Sequence, residues 1–447
     1  MELTIEKLIY GGDGLARLPA DERGRGKAVF IPFSLAEERV EASIIEQKPG
    51  FSRAKVEAVV EPSPHRVPPA CPYFGRCGGC HYQHASYDHQ LQIKREILRE
   101  SLRRTAKLEL AFDIEVHPSP PWNYRNRSRL QVQVRPEFAV GYFRFASNDL
   151  LPVEQCPISS PLINRGIASL WQSGRARKVP QGVREVEFFA NADDTQLLLD
   201  VACTPDARRA AVRAWAEDLR TALPEIAGVV AFREANPGDR KAKTPEMLVA
   251  IGTPFLIYQT QRASYRVTAG SFFQTNRHLI DELVKVVTAG ASGQFALDLY
   301  AGAGLFSTAL AGDFHHVVSV EPSQTSSADL AYNQSSNGEV AQATTEQYLA
   351  RAERTGRVGK GAGPLHIPDK PDLAVVDPPR SGLGERVARL LATLAAPRVI
   401  YVSCDPATLA RDLLILLAAG YRVEQVHLLD LFPQTYHLES VVHLVRE

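Results

Sequence analysis

No stretch of this chain approaches the ~20 consecutive apolar residues that span a bilayer, so neither a membrane helix nor a membrane partner is expected. The opening MELTIEKLIYGG lacks the basic start and apolar core of a secretion signal. A cytoplasmic chain with reduced thiols follows as the expectation. Net charge is missing too, since 51 Lys plus Arg balance 51 Asp plus Glu. The overall balance therefore gives no support for a polyanionic partner, and a nucleic-acid surface has to come from local clustering. Cysteine is scarce, at six in 447 residues. Six thiols in a reducing compartment read as metal ligands, nucleophiles or core residues rather than disulfides.

What is present is the balance of a folded protein. An apolar fraction of 45% beside a charged fraction of 23% argues against disorder over most of the length, and 447 residues point to two or three domains. Residues 1–60 alternate short strands (TIEKLIY, GLARL, KAVFIPF, ERVEASII, AKVEAVV) with turn signals, the pattern of a small OB-like barrel. The Pro-rich EPSPHRVPPACP marks a boundary. Residues 61–265 read as an α+β central domain. It holds three close cysteines and a basic helix over 87–105 with Lys94, Arg95, Arg99, Arg103 and Arg104, a helix free to pack on the domain that follows. Further on, the strands RLQVQV, VEFFA, TQLLLDVA and MLVAIG mix with one helix around Asp206 to Leu223. Residues 266–447 change to an α/β texture, in which FALDLY, HHVVSVE, LAVVD and RVIYVS suit the buried parallel strands of a doubly wound sheet. Residues 351–371, rich in Gly and Lys/Arg, read as a mobile solvated loop within it.

FALDLYAGAGLFSTALA is a strand, a small-residue turn and a helix. Gly302 and Gly304 can take positive φ and let a ligand approach backbone. The third glycine of a dinucleotide fingerprint is missing, with Ser307 in its place. Glu321 ends the next strand nineteen residues after Gly302, where a carboxylate can accept both ribose hydroxyls of a nucleoside. This suits NAD or S-adenosylmethionine. LAVVDPPR tips the balance to the methyl donor, because it sets Asp377 at a strand's carboxyl end with Pro378 and Pro379 as a rigid wall for a flat base.

RVIYVSCDPATLARDL runs from a strand into a helix, with Asp405 as N-cap and Pro406 as first helical residue. Cys404 sits just ahead of the helix N-terminus, whose partial positive charge lowers a thiol pKa. A thiolate there can add to carbon 6 of a uracil and make carbon 5 nucleophilic. The base that later removes the carbon 5 proton is sought in DLFPQTYHLESVVHL, where Glu439 is preferred to His437.

CPYFGRCGGCHYQH places Cys71, Cys77 and Cys80 with five and two residues between them, and Cys156 is available as a fourth ligand. Four thiolates suit zinc or a [4Fe–4S] cluster; a triplet plus one distant cysteine leans to iron–sulfur. Cys203, inside an apolar strand, reads as core. In PWNYRNRSRLQVQV, Trp122, Tyr124, Arg125, Arg127 and Arg129 have the density of an RNA-stacking and phosphate-pairing face, with the three arginines sharing one side of a strand.

Together these segments resemble the RNA uracil-5-methyltransferases, and within them the iron–sulfur branch that modifies 23S ribosomal RNA. The likeness covers nearly the whole chain. Residues 1–60 look like a TRAM domain, CPYFGRCGGCHYQH with Cys156 is similar to the branch's [4Fe–4S] motif, and GSFFQTN, DLYAGAGLF, VVDPPRSGL, YVSCDPATLARD and FPQTYHLESV follow in the family's order. The resemblance implies a class I, Rossmann-like S-adenosylmethionine-dependent methyltransferase domain, acting as a monomer in rRNA processing. It implies that Gln274, Tyr300, Glu321 and Asp377 contact the cofactor, that Cys404 attacks carbon 6, and that Glu439 takes the carbon 5 proton. One departure is Leu305, where relatives often carry Asn, so a side-chain amide contact to the cofactor is lost. Rival readings are the same chemistry on a tRNA uridine, a radical methylthiotransferase (whose cysteines are spaced three and two), an amino-methylating RNA enzyme, and a non-catalytic RNA-binding factor.

Overall fold

The computed structural model describes residues 1–19, 24, 26–235, 246–355 and 370–446. Of the loop expected at 351–371, residues 351–355 end the helix Thr345–Thr355 and 356–369 lie outside the described residues.

Alternation builds the first sheet. Along Ala28–Pro32, Val29 and Ile31 point inward, where they meet Leu3, Ile5, Ala16, Val40, Ala42 and Ala54. Across this barrel the strands run Glu2–Thr4, Arg39–Gln47, Phe51–Glu61, Ala28–Pro32, Asp13–Arg17 and Lys7–Leu8. The middle sheet runs Leu150–Pro152, Ala139–Phe143, Arg127–Gln133, Val183–Ala190, Leu197–Cys203, Ile226–Arg233 and Glu246–Gly252. It carries the expected helix, Arg209–Ala222, and an unexpected second one, Pro161–Arg175. The second was legible: Ser160 caps it by accepting from the Ile163 amide, Pro161 opens it, and Leu162, Ile163, Ile167 and Leu170 form its buried stripe.

The C-terminal sheet runs Gly338–Ala341, Phe314–Val320, Gly293–Leu299, Leu373–Val376, Arg398–Ser403, Glu439–Arg446, Tyr421–Leu429 and Glu115–His117. The first five are parallel, and Glu439–Arg446 is antiparallel to both neighbours. Leu373–Val376 is buried at every residue, as befits a strand covered on both faces. Chain order reverses between Gly293–Leu299 and Leu373–Val376, which makes their carboxyl ends the place where such sheets hold ligands.

The interval 61–265 contributes to the C-terminal domain's cores as well as to its own. From the helix Tyr87–Arg104, Ile93, Ile97, Leu98 and Leu102 pack with Leu409, Leu413 and Leu416 of the C-terminal domain. The hairpin of Phe255–Gln259 and Ser264–Thr268 likewise joins Leu283, Val284 and Phe306. The helix does not present all its basic residues to solvent. Gln90, Ile93, Lys94 and Ile97 lie on its buried stripe, while Arg99 pairs with Asp113 and Arg104 with Glu100.

Lys94 is fully buried, its ammonium 2.6 Å from the Asp430 carboxylate and 2.9 Å from the Phe432 carbonyl. It thereby anchors the segment 430–438, which connects the last two strands. No described helix is long and apolar enough to cross a membrane. Lys94→Met strands the Asp430 charge and is expected to cost about 3–5 kcal/mol in denaturant unfolding, with Lys94→Met/Asp430→Leu recovering much of it. A loss for the single variant below about 1 kcal/mol, the range of an exposed pair, would contradict this assignment.

Candidate active site

Tyr300, Glu321, Asp377 and Cys404 each follow the last residue of a parallel strand, so the sheet delivers all of them to one edge. Glu439 opens the antiparallel strand and therefore arrives at the same edge. Ser403 pairs with Ser440 in the ladder, which sets Cys404 across from Glu439 one step further out.

The glycine turn is strained toward openness. Tyr300, Gly302 and Gly304 have φ of 63°, 55° and 94°. A Cβ on Gly304 would strike Leu330 at 2.7 Å, whereas one on Gly302 would find only the Phe272 carbonyl, at 4.0 Å. The turn thus packs on one side and presents bare backbone on the other. Glu321 is held beside it, accepting from the Gly302 amide at 3.0 Å and the Ser323 amide at 2.8 Å.

Ser307, standing where a third glycine was sought, donates its amide (2.9 Å) and hydroxyl (2.6 Å) to one oxygen of Asp298. Asp298 is a site residue the sequence reading missed; a lone carboxylate inside the apolar FALDLY was its signal. Its other oxygen is buried without a partner among the described residues, and burial pushes its pKa up to about 7. Gln274 is buried and Tyr300 half-buried. Leu305 is buried, its carbonyl accepting from the Tyr265 hydroxyl at 3.0 Å. A bare backbone turn, a held carboxylate and an orphaned buried oxygen form a donor and acceptor set that fits an adenosine cofactor.

Cys404 is half-buried at the strand tip, but the expected lowering of its pKa is overruled. Burial, then the Glu439 and Asp377 carboxylates, push the thiol up to about 12, with Arg380 opposing. Asp405 also accepts from the Ala407 and Thr408 amides, so the free donors of the helix end are already engaged by a carboxylate. Burial and then Asp298 push Asp377 up to about 7. Glu439 is buried rather than exposed, and burial and then Asp377 raise its pKa, again against Arg380. His437 is driven down to about 3, by burial first and then by Arg380, and is therefore a neutral neighbour. Arg380 was not singled out from sequence. Its carbonyl is fixed by the Thr408 hydroxyl at 3.1 Å, and its guanidinium lies 3.4 Å from His437. The barrel also reaches in: the Tyr10 hydroxyl donates to the Cys404 carbonyl at 3.1 Å, and the Tyr10 ring meets Tyr436 edge-on at 5.5 Å.

Cys71, Cys77, Cys80 and Cys156, all free thiols, line one cavity of about 60 Å³ together with Arg125. Burial raises the pKa of Cys71, Cys77 and Cys80, and the charge of neighbouring cysteines raises each further. Four cysteines lining one cavity beside a guanidinium are a donor set suited to a group that takes thiolates. Cys203 is buried in the middle core.

The aromatic and arginine face expected at 122–129 does not form. Tyr124 is fully buried, with its hydroxyl on the Pro433 carbonyl at 3.0 Å, and Trp122 packs against the cluster of Cys80, Tyr124 and Ile158. Arg125 turns to the cysteines. Arg127 meets Glu187 at 3.1 Å and lies over the Phe189 ring, while Arg129 pairs with Glu187 at 2.9 Å and Glu185 at 3.3 Å. The carboxylates come from Val183–Ala190, the neighbouring strand in the sheet, so local sequence could not reveal them.

Residues 86–447 match the family described as tRNA (Uracil-5-)-methyltransferase, and residues 1–56 match the TRAM domain. The chain is 32% identical to an uncharacterized RNA methyltransferase of Aquifex aeolicus (strain VF5), over 99% of this chain and 98% of that protein. It is 33% identical to one of Streptomyces coelicolor, over 99% of this chain and 92% of that protein. Among solved structures it is similar in fold to the Pyrococcus abyssi tRNA (uracil-54, C5)-methyltransferase in complex with S-adenosyl-L-homocysteine, with a TM-score of 0.72 and 24% identity over 100% of both chains.

With the thiol pKa near 12, the free chain should alkylate slowly at Cys404 at neutral pH. The rate, read by mass spectrometry of the Cys404 peptide with iodoacetamide, is expected to rise roughly tenfold per pH unit from pH 7 to 10, following the thiolate fraction. A plateau already reached at pH 7 would show that the helix end wins after all.

Proposed function

The chain belongs to the RNA uracil-5-methyltransferase family of S-adenosylmethionine-dependent enzymes, and from that premise we propose that it methylates carbon 5 of a specific uridine in 23S ribosomal RNA through a covalent Cys404 adduct. The observation that carries the reading is the placement of Cys404 opposite Glu439 at the ligand edge of the sheet, beside Asp377.

The Cys404 thiol gives its proton to water and its sulfur bonds to carbon 6 of a flipped-out uracil, which moves the electron pair of the 5,6 double bond toward carbon 5 and the carbonyl oxygen. Bound at the glycine turn, S-adenosylmethionine would supply the electrophilic methyl group that carbon 5 takes as the sulfonium–methyl bond breaks. Glu439 then takes the proton from carbon 5, the double bond re-forms, and the sulfur leaves. Its raised pKa makes Glu439 a stronger base once ionised. Arg380 is the cation that favours the thiolate, against the carboxylates of Glu439, Asp377 and Asp405 that oppose it. Glu321 would hold the ribose hydroxyls, with Gln274, Tyr300, Asp377 and the open faces of Gly302 and Gly304 completing the cofactor contacts. Cys71, Cys77, Cys80 and Cys156 would hold a [4Fe–4S] cluster. We assign the cluster a bracing duty, because the two residues after Cys80 donate their amides, His81 at 2.8 Å and Tyr82 at 2.9 Å, to the Gln434 carbonyl.

The cysteine set favours the 23S branch, while the fold likeness to a tRNA (uracil-54, C5)-methyltransferase supports a tRNA uridine as second reading. Incubation with the methyl donor and 5-fluorouracil-substituted 23S fragments or tRNA separates them. A denaturation-resistant adduct is expected with the ribosomal fragment and is absent from Cys404→Ala, because fluorine cannot leave as a proton does. Glu439→Gln is expected to accumulate methylated adduct on ordinary RNA. Methylation by Cys404→Ala, or no adduct from a folded, cofactor-bound chain, would refute the mechanism; an adduct with tRNA alone would refute the ribosomal substrate.

A further inference from the structure

At the edge strand of the C-terminal sheet, Glu115 pairs with His427 and His117 with Leu429 in a parallel ladder. Side chains two apart share a face, so Glu115, His117 and His427 project together. Both histidines are buried, while Glu115 is largely exposed. His117 Nε2 lies 3.1 Å from His427 Nδ1 and 3.7 Å from a Glu115 oxygen; His427 Nδ1 lies 3.4 Å from the other Glu115 oxygen. Tetrahedral zinc with bonds of about 2.0–2.1 Å separates its ligand atoms by roughly 3.3 Å. The three separations bracket that value.

The outer nitrogens are engaged. His117 Nδ1 is 3.1 Å from a Glu282 oxygen, and His427 Nε2 is 3.4 Å from Gln425 Oε1. Both outer partners are oxygen acceptors, so the tautomers that place each ring's proton outside satisfy both of them. Two imidazole lone pairs and a carboxylate then face one another across a small gap, an arrangement of acceptors that calls for a cation. A carboxylate on the far nitrogen is the usual support of a zinc-bound histidine. On the same face, the ring of His443 lies 5.3 Å from that of His427, and its Nε2 is buried without a hydrogen-bond partner among the described residues.

We propose that Glu115, His117 and His427 bind a zinc-type divalent cation, with water completing the tetrahedron and Glu282 and Gln425 orienting the rings. The ion staples the three-residue strand Glu115–His117 to Tyr421–Leu429. The staple lies next to the segment 430–438, since the His117 carbonyl accepts the Asp430 amide at 3.0 Å. This site is independent of the cysteine cluster and of the methylation reading.

The test uses the full chain as isolated, with the cysteine cluster retaining its own metal, and Zn²⁺ and Co²⁺ as probes. One zinc per chain beyond the cluster's content is expected, with only nitrogen and oxygen neighbours in X-ray absorption. Bound Co²⁺ should lack a thiolate charge-transfer band. Glu282→Gln should weaken zinc by about 10–100-fold, as loss of a supporting carboxylate does. Glu115→Gln, at an exposed position, should weaken it at least as much without altering the circular dichroism. Unchanged zinc affinity in Glu115→Gln, a sulfur shell, or no zinc beyond the cluster's would overturn the proposal, the last meaning that a shared proton alone joins the two rings.

Discussion

A buried connection between two strands is a costly thing for a protein to build, because every backbone group within it must find a partner away from water. The segment 430–438 is such a connection, and the rest of the molecule is organised around satisfying it. Lys94 neutralises Asp430 and caps the Phe432 carbonyl; Gln90 exchanges two hydrogen bonds with Gln434. The Gln434 carbonyl takes the His81 and Tyr82 amides from the cysteine segment, and the Pro433 carbonyl takes the Tyr124 hydroxyl from the edge of the middle domain. Asn276, two residues past Gln274, donates to the Leu431 carbonyl at 3.1 Å. The barrel adds Tyr10 against Tyr436. Elements from every part of the chain therefore meet on the peptide that ends at Glu439.

This convergence gives the active site its character. Asp298, Asp377, Cys404 and Glu439 stand close together with their acidic forms favoured, because burial and mutual repulsion act on all of them in the same direction. Arg380 alone among the groups acting on Cys404 and Glu439 pulls the other way. In the free chain these groups hold their protons together, so any cation or ligand charge placed among them shifts all four in concert.

The C-terminal fold was legible because its parallel strands are buried on both faces and read as unbroken apolar runs, and because the turn residues, Asp377 and Cys404 all fall at run ends. The barrel was legible from alternation. What stayed hidden depended on contacts distant in sequence. Lys94 looked like one more cation on a basic helix, although its spacing from Gln90, Ile97 and Leu98 put it on the apolar stripe. Arg127 and Arg129 looked available to phosphate until a strand 58 residues away from Arg129 supplied Glu187. Cys404 looked activated by its helix because the N-cap carboxylate is local, while the repulsion from Glu439 and Asp377 belongs to the assembled sheet. Glu115, His117 and His427 carried no local motif at all, since two short segments of the chain join only in the ladder.

The segment 430–438 is held as firmly as the strands it connects. Native-state hydrogen exchange at the Gln434, His81 and Tyr82 amides measures this directly. The account predicts that these amides are protected to nearly the same free energy as those of Arg398–Ser403, and that Lys94→Met lowers all three together. Fast exchange of the three amides, while the flanking strands stay protected, would mean that the loop is an ordinary mobile connection and that the domains do not meet to hold it.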